Sequence, residues 1–104
     1  MISYIDIEGR KIAFKTSVLA IRDFAYKKNM KFEQAFELIA KSEFEDIVSL
    51  WHSSIHTITG QEDVTEDQLW QWIDSEPEYM NKFMDAMVET MAKNLFSPVK
   101  NGQR

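Results

Sequence analysis

Tyr4-Ile5-Asp6-Ile7-Glu8-Gly9-Arg10-Lys11-Ile12-Ala13-Phe14-Lys15 decides the fold class. Tyr4, Asp6 and Glu8 alternate with Ile5 and Ile7, which is the two-residue period of a half-buried strand. Glu8-Gly9-Arg10 supplies a turn. Beyond it, Ile12 and Phe14 point one way while Lys11, Ala13 and Lys15 point the other, so the second run can pair back on the first as a β-hairpin. A lone hairpin is marginal in water, so the face made by Ile5, Ile7, Ile12 and Phe14 must lie on helices.

The rest of the chain reads as those helices. Thr16 or Ser17 caps a first one through Lys28, with Val18, Ile21, Phe24 and Ala25 on one face and Asn29 as its terminator. Phe32, Ala35, Phe36 and Ile39 fit a short second helix. Ser42 with Glu45 forms a capping box for a third, which carries Phe44, Ile47, Val48, Trp51, Ile55 and Ile58 and stops at Gly60. Thr65 caps a fourth that runs through Ile73, with Gln68 as its partner and Val64 against Leu69 as a hydrophobic staple. Ser75-Glu76-Pro77-Glu78 opens a last long helix to about Leu95, since proline is tolerated in a first turn. Residues 97–104 hold breakers and no periodicity and read as a flexible C-terminal tail. The expectation is an α+β fold, mostly helical, with an N-terminal β-hairpin packed on four to five α-helices in one domain over residues 1–96.

Composition narrows the function. A chain of 104 residues with 44% hydrophobic and 28% charged residues supports one packed core and argues against disorder. It has no cysteine, which removes disulfides, thiolate metal sites and a thiol nucleophile and suits a reducing cytosol. The N-terminus lacks the pattern of a signal peptide, and no apolar stretch approaches the ~20 residues of a membrane span. The formal charge of −5 is unevenly spread: residues 1–31 carry net +4, residues 32–91 net −12 and the last thirteen net +3. A phosphate backbone would be repelled by most of such a surface, so nucleic acid is not expected as a partner. Segregated charge suits either a solvated acidic face or self-association in which basic and acidic parts of neighbouring copies meet.

No catalytic frame appears. His52 and His56 share a helix face, as two metal ligands would, yet Ser53 stands where a zinc-protease motif has glutamate and no third ligand is marked, so no metal or other cofactor is expected. Glu66, Asp67, Glu76 and Glu78 are accounted for by helix N-termini, which favour negative charge. With only Gly9, Gly60 and Gly102 the chain has no phosphate-cradling loop or nucleophile elbow. The distinctive feature is a stripe of Met80, Met84, Met87 and Met91, with Phe83, Val88 and Leu95 beside it. Methionine adapts to loosely specified apolar partners. Filling this domain's own core is the simpler account of most of these methionines, and the sequence leaves the choice open. Leu69, Trp72 and Ile73 pack inward in the fourth helix, which leaves Trp70 as a surface anchor. Trp70, Met80, Met84, Met87 and Met91 are therefore the candidate partner-binding residues.

Ile5-Asp6-Ile7-Glu8-Gly9-Arg10-Lys11 with Phe14-Lys15, then Ala20-Ile21-Arg22-Asp23-Phe24, Ile47-Val48-Ser49-Leu50-Trp51, and Val64-Thr65-Glu66-Asp67-Gln68-Leu69-Trp70 before a long amphipathic helix, cover most of residues 4–95. In this order they resemble the tail assembly chaperones of long-tailed phages and prophages of Gram-positive bacteria. The resemblance implies a non-enzymatic chaperone that coats apolar stretches of the tape measure protein in the host cytoplasm. It implies the tail tube protein as a secondary partner, absence from the finished virion, and in many members a longer frameshifted form. Rival readings are a structural tail or connector component retained in the virion, a generic small helical protein-binding domain, and a nucleic-acid regulator using Arg22, Lys27, Lys28 and Lys31.

Overall fold

A computed structural model describes residues 2–92. The expected tail over 97–104 and the end of the last helix near Leu95 lie outside the described residues. The hairpin forms from β1 (Ser3–Ile7) and β2 (Arg10–Phe14), antiparallel, with Ile5 opposite Ile12 and Ile7 opposite Arg10. That register leaves Glu8 and Gly9 as a two-residue turn, both at positive φ (52° and 83°), whose twist matches that of the strands. Ile5, Ile7, Ile12 and Phe14 are buried on the inner face.

Ala13 departs from the alternation: expected outward with Lys11 and Lys15, it is buried. The cause is Gln61, distant in sequence. Ala13 N–H donates to Gln61 Oε1 at 2.8 Å, and Gln61 Nε2 donates to Ala13 O at 2.8 Å and to Ile55 O at 3.3 Å. Ala13 pairs across the hairpin with Tyr4 at a position where its own amide groups point away from β1, so the carboxamide closes the free edge of β2 as a third strand would. Arg10 forks onto Asp63 from the same side at 2.7 and 3.0 Å.

Five helices follow among the described residues. In α1 (Val18–Lys27) the cap is Ser17, which accepts from Ala20 N–H, while Thr16 is buried and shares a hydrogen bond with Ser54 Oγ; Asn29, at φ 56°, ends the turn. The second helix, α2 (Phe32–Lys41), starts where the Gln34 side chain accepts the Lys31 N–H. The third, α3 (Phe44–His56), corrects the expected capping box. Ser42 is the left-handed residue that ends α2, its hydroxyl turned back to Ile39 O, and Glu43 opens α3 with no side-chain cap. Only Ser42 and Glu43 separate the two helices, so Ser42 is consumed in reversing the chain. Ile58 and Gly60 fall beyond the end of α3. In α4 (Glu66–Ser75) Thr65 caps Gln68 N–H at 3.1 Å, with Val64 and Leu69 both buried. The last, α5 (Glu78–Met91), follows Pro77, and the Glu76 carboxylate accepts the Glu78 N–H.

The α3 helix is the hub, with Ile47, Val48, Leu50, Trp51 and Ile55 buried along it. Trp51 stacks on Phe83 of α5 at 5.4 Å and 18°, and Phe83 meets Phe14 of β2 at 5.4 Å, so three aromatic rings join α3, α5 and the hairpin. The Trp51 Nε1–H is buried with no acceptor among the described residues. Small residues on another side of α3 admit α1 in antiparallel alignment. Thr16 bonds to Ser54, Ser53 donates to Asp23 at 2.7 Å, Lys27 Nζ donates to Ser49 O at 2.9 Å, and Lys28 pairs with Asp46 at 3.2 Å.

Gln61→Ala strands the amide groups of Ala13. A loss of about 2 kcal/mol is expected, in the range for buried polar groups left unmade, read as a fall in the denaturant midpoint. Arg10→Ala, which removes only an exposed ion pair, should leave the midpoint nearly in place.

Candidate functional site

The methionine face does not form an open stripe. Met80 and Met87 are each 4% exposed and Met91 9%, all in the core with Phe83, and Met84 packs half-buried against it. The spacing that made the stripe conspicuous is the spacing of the side that α5 turns towards the hairpin and α3. Its other side carries Asn81, Lys82, Asp85, Val88 and Glu89. Trp70 is outward as expected, 37% exposed, with its ring 5.4 Å from that of Phe44, whereas Leu69, Trp72 and Ile73 turn inward.

Met87 and Met91 nonetheless reach a surface. Together with Ile39, Ala40, Val88 and Ala92 they line a groove of about 260 Å³ between the C-terminal halves of α2 and α5. Among the described residues no charged side chain lines it, and the polar member Ser42 has its hydroxyl turned to Ile39 O. Trp70, Met80 and Met84 are not part of this wall. The sequence reading missed Ile39, Ala40 and Ser42. The available signal was Val88, a large apolar residue on the polar side of α5 and 61% exposed. A larger hollow of about 470 Å³ lies at the α1–α2 corner, but Asn29, Lys31 and Gln34 give it a partly polar lining.

A second cluster joins α1, α3 and α4. Lys27 Nζ lies 3.0 Å from His52 Nδ1 and 3.4 Å from Glu66 Oε2, and Ser49 Oγ donates to Glu66 at 3.2 Å. An ammonium has only protons to give, so His52 Nδ1 accepts and the ring is neutral with its proton on Nε2. Burial pulls the His52 pKa below its ordinary value of 6.5, reinforced by Lys27 and His56. Burial also lowers Lys27, against the attraction of Glu66. The two imidazoles lie 4.0 Å apart, yet His56 Nε2 is 2.7 Å from Val64 O and His52 faces a cation. Among the described residues no group of three or more His, Cys, Asp or Glu gathers as metal ligands.

Two outcomes follow from these positions. Met87→Glu puts an unpaired carboxylate into the core and is expected to abolish the cooperative thermal transition, whereas Val88→Glu, one residue on, should leave it intact. For His52, the unfolded chain takes up a proton more readily than the folded one, so stability should fall as pH drops through 6.5. Melting curves between neutral and mildly acid pH check this, and His52→Gln should flatten that part of the profile. No protein-family model matches the chain, and no curated protein or solved structure matches it.

Proposed function

We propose that this chain is a non-enzymatic protein-binding domain that holds an apolar helix of its partner in the groove between α2 and α5. The observation that carries this reading is the groove itself: a wall of Ile39, Ala40, Met87, Val88 and Met91, with no charged member among the described residues, within the most acidic part of the chain. Two of its wall residues are methionines, whose side chains re-pack at low cost around differently shaped apolar surfaces. Taken with the resemblance to tail assembly chaperones, the partner is the tape measure protein of a long-tailed phage, bound in the host cytoplasm before the tail tube closes round it. Trp70 is not carried over to this surface, because it rests on Phe44 and is not part of the groove wall.

The rival nucleic-acid reading loses part of its basis. Lys27 and Lys28, half of the cations on which a nucleic-acid reading relies, face the carboxylates of Glu66 and Asp46 at 3.4 and 3.2 Å. No helix among the described residues is long and apolar enough to cross a membrane.

Co-expression with the long, helix-rich product of the gene downstream should yield a soluble complex from a partner that is insoluble alone. The double variant Ala40→Glu, Val88→Glu is expected to lose capture while keeping the wild-type melting curve, since both side chains are exposed. Capture that survives these charges would remove the groove from the reading. Stoichiometric presence of the protein in purified particles would remove the chaperone role.

A further inference from the structure

We propose that the free edge of β1 takes an extended, lysine- or arginine-bearing segment of another protein as a third, antiparallel strand. The two edges of the hairpin are treated differently. On the β2 side, Gln61 takes both amide groups of Ala13, and Lys15 N–H donates to Ser54 O at 3.1 Å, so that edge is held to α3 and the loop after it. Tyr4 pairs with Ala13 and Asp6 with Lys11, positions at which the amide groups of β1 point away from β2. Among the described residues no hydrogen bond reaches those groups of Tyr4 or Asp6. Amide groups without a partner stay in water, and both residues are exposed, Tyr4 at 58%. At alternate residues this edge therefore offers the donors and acceptors that the backbone of an extended chain completes.

Backbone pairing sets the shape of the partner, and the neighbouring side chains set its charge. A strand added at the usual spacing of about 4.8 Å brings its own side chains directly beside Tyr4 and Asp6 on the outer face. Lys11 is opposite Asp6 but leans over the Tyr4 ring, 5.6 Å from its centre. Among the described residues neither Asp6 nor the exposed Glu8 just after the strand has an ion-pair partner. Two uncompensated carboxylates along one edge call for cations on the incoming strand, which a second copy of β1 does not carry. Its alternate residues, on the face that continues Ile5 and Ile7, are apolar. Antiparallel pairing is the stronger arrangement and sets the amide groups of each basic residue against those of Asp6 or Tyr4. No residue of β1 belongs to the groove wall, so this contact is separate from the one between α2 and α5.

Amide hydrogen exchange on the isotope-labelled full chain, read by NMR with and without a capped peptide of alternating lysine and valine about seven residues long, tests this. In the protein alone, the Tyr4 and Asp6 amides should exchange freely while those of Ile5 and Ile7 are protected. Added peptide should slow exchange at Tyr4 and Asp6 and shift their resonances in a saturable way. Asp6→Lys should weaken binding about tenfold, from a lost opposite charge and a new like one. Tyr4→Pro removes an outward N–H and none of the bonds to β2, and should abolish the protection at Asp6. If that variant loses the hairpin, the peptide carries the same test: methylation of its lysine amide nitrogens should abolish binding, and methylation of its valine amide nitrogens should not. The double variant Ala40→Glu, Val88→Glu should bind the peptide as the wild type does, so either contact can fail while the other stands. Exchange at Tyr4 and Asp6 that the peptide leaves unchanged, or equal binding of the two methylated peptides, would overturn the proposal. Protection that rises with protein concentration in the absence of peptide would also overturn it, by assigning the edge to a second copy.

Discussion

Gln61 holds the hairpin to the helices by a device that costs one side chain. Its carboxamide donates to and accepts from Ala13, and the same nitrogen reaches Ile55 O at the end of α3. Two five-residue strands cannot persist alone in water. Here the inner face is covered by helices, and the outward-pointing amide groups at Ala13 are satisfied without a third strand. The placement of β2 in turn sets Phe14 against Phe83, and through Phe83 the position of Trp51 and the axis of α3. Every other element is packed on that axis, directly or at one remove.

The exposed apolar surfaces are what this packing leaves over. To cover the hairpin, α5 turns its methionines inward, and only Met87 and Met91, beside the end of α2, contribute to an open wall. To seat against α3, α1 uses Ala20, Ile21, Phe24 and Ala25 and so presents Leu19, Arg22 and Tyr26 outward. Apolar area on both outer faces is therefore not core material left unpacked, since each helix already has a complete buried face. The asymmetry of charge follows the same division, with cations on β2 and α1, and carboxylates on α3, α4 and the outer side of α5.

Local signals were legible because they depend on neighbours in the chain. The turn at Glu8-Gly9, the caps at Ser17 and Thr65, the stop at Asn29 and the inward turn of Trp72 all stand where spacing and residue type put them. Ser42 was misread because serine suits both a helix start and a left-handed helix end, and only the length of the link to Phe44 decides between them. The methionine period identified a face but not what the face meets; burial against the hairpin is a property of the assembled molecule. Gln61 and the Lys27, His52 and Glu66 cluster were out of reach for the same reason, their partners lying between six and 48 residues away.

The three tryptophans stand in three different surroundings: Trp51 sealed and stacked on Phe83, Trp72 nearly sealed, and Trp70 half in water against Phe44. The protein therefore carries its own optical probes. Ultraviolet emission from Trp51 reports whether α3, α5 and the hairpin remain joined. Emission from Trp70 responds in addition to whatever comes to lie on the outside of α4, a place that Trp51 does not sense, so a contact there and a loosening of the core act on different rings, with no dye attached.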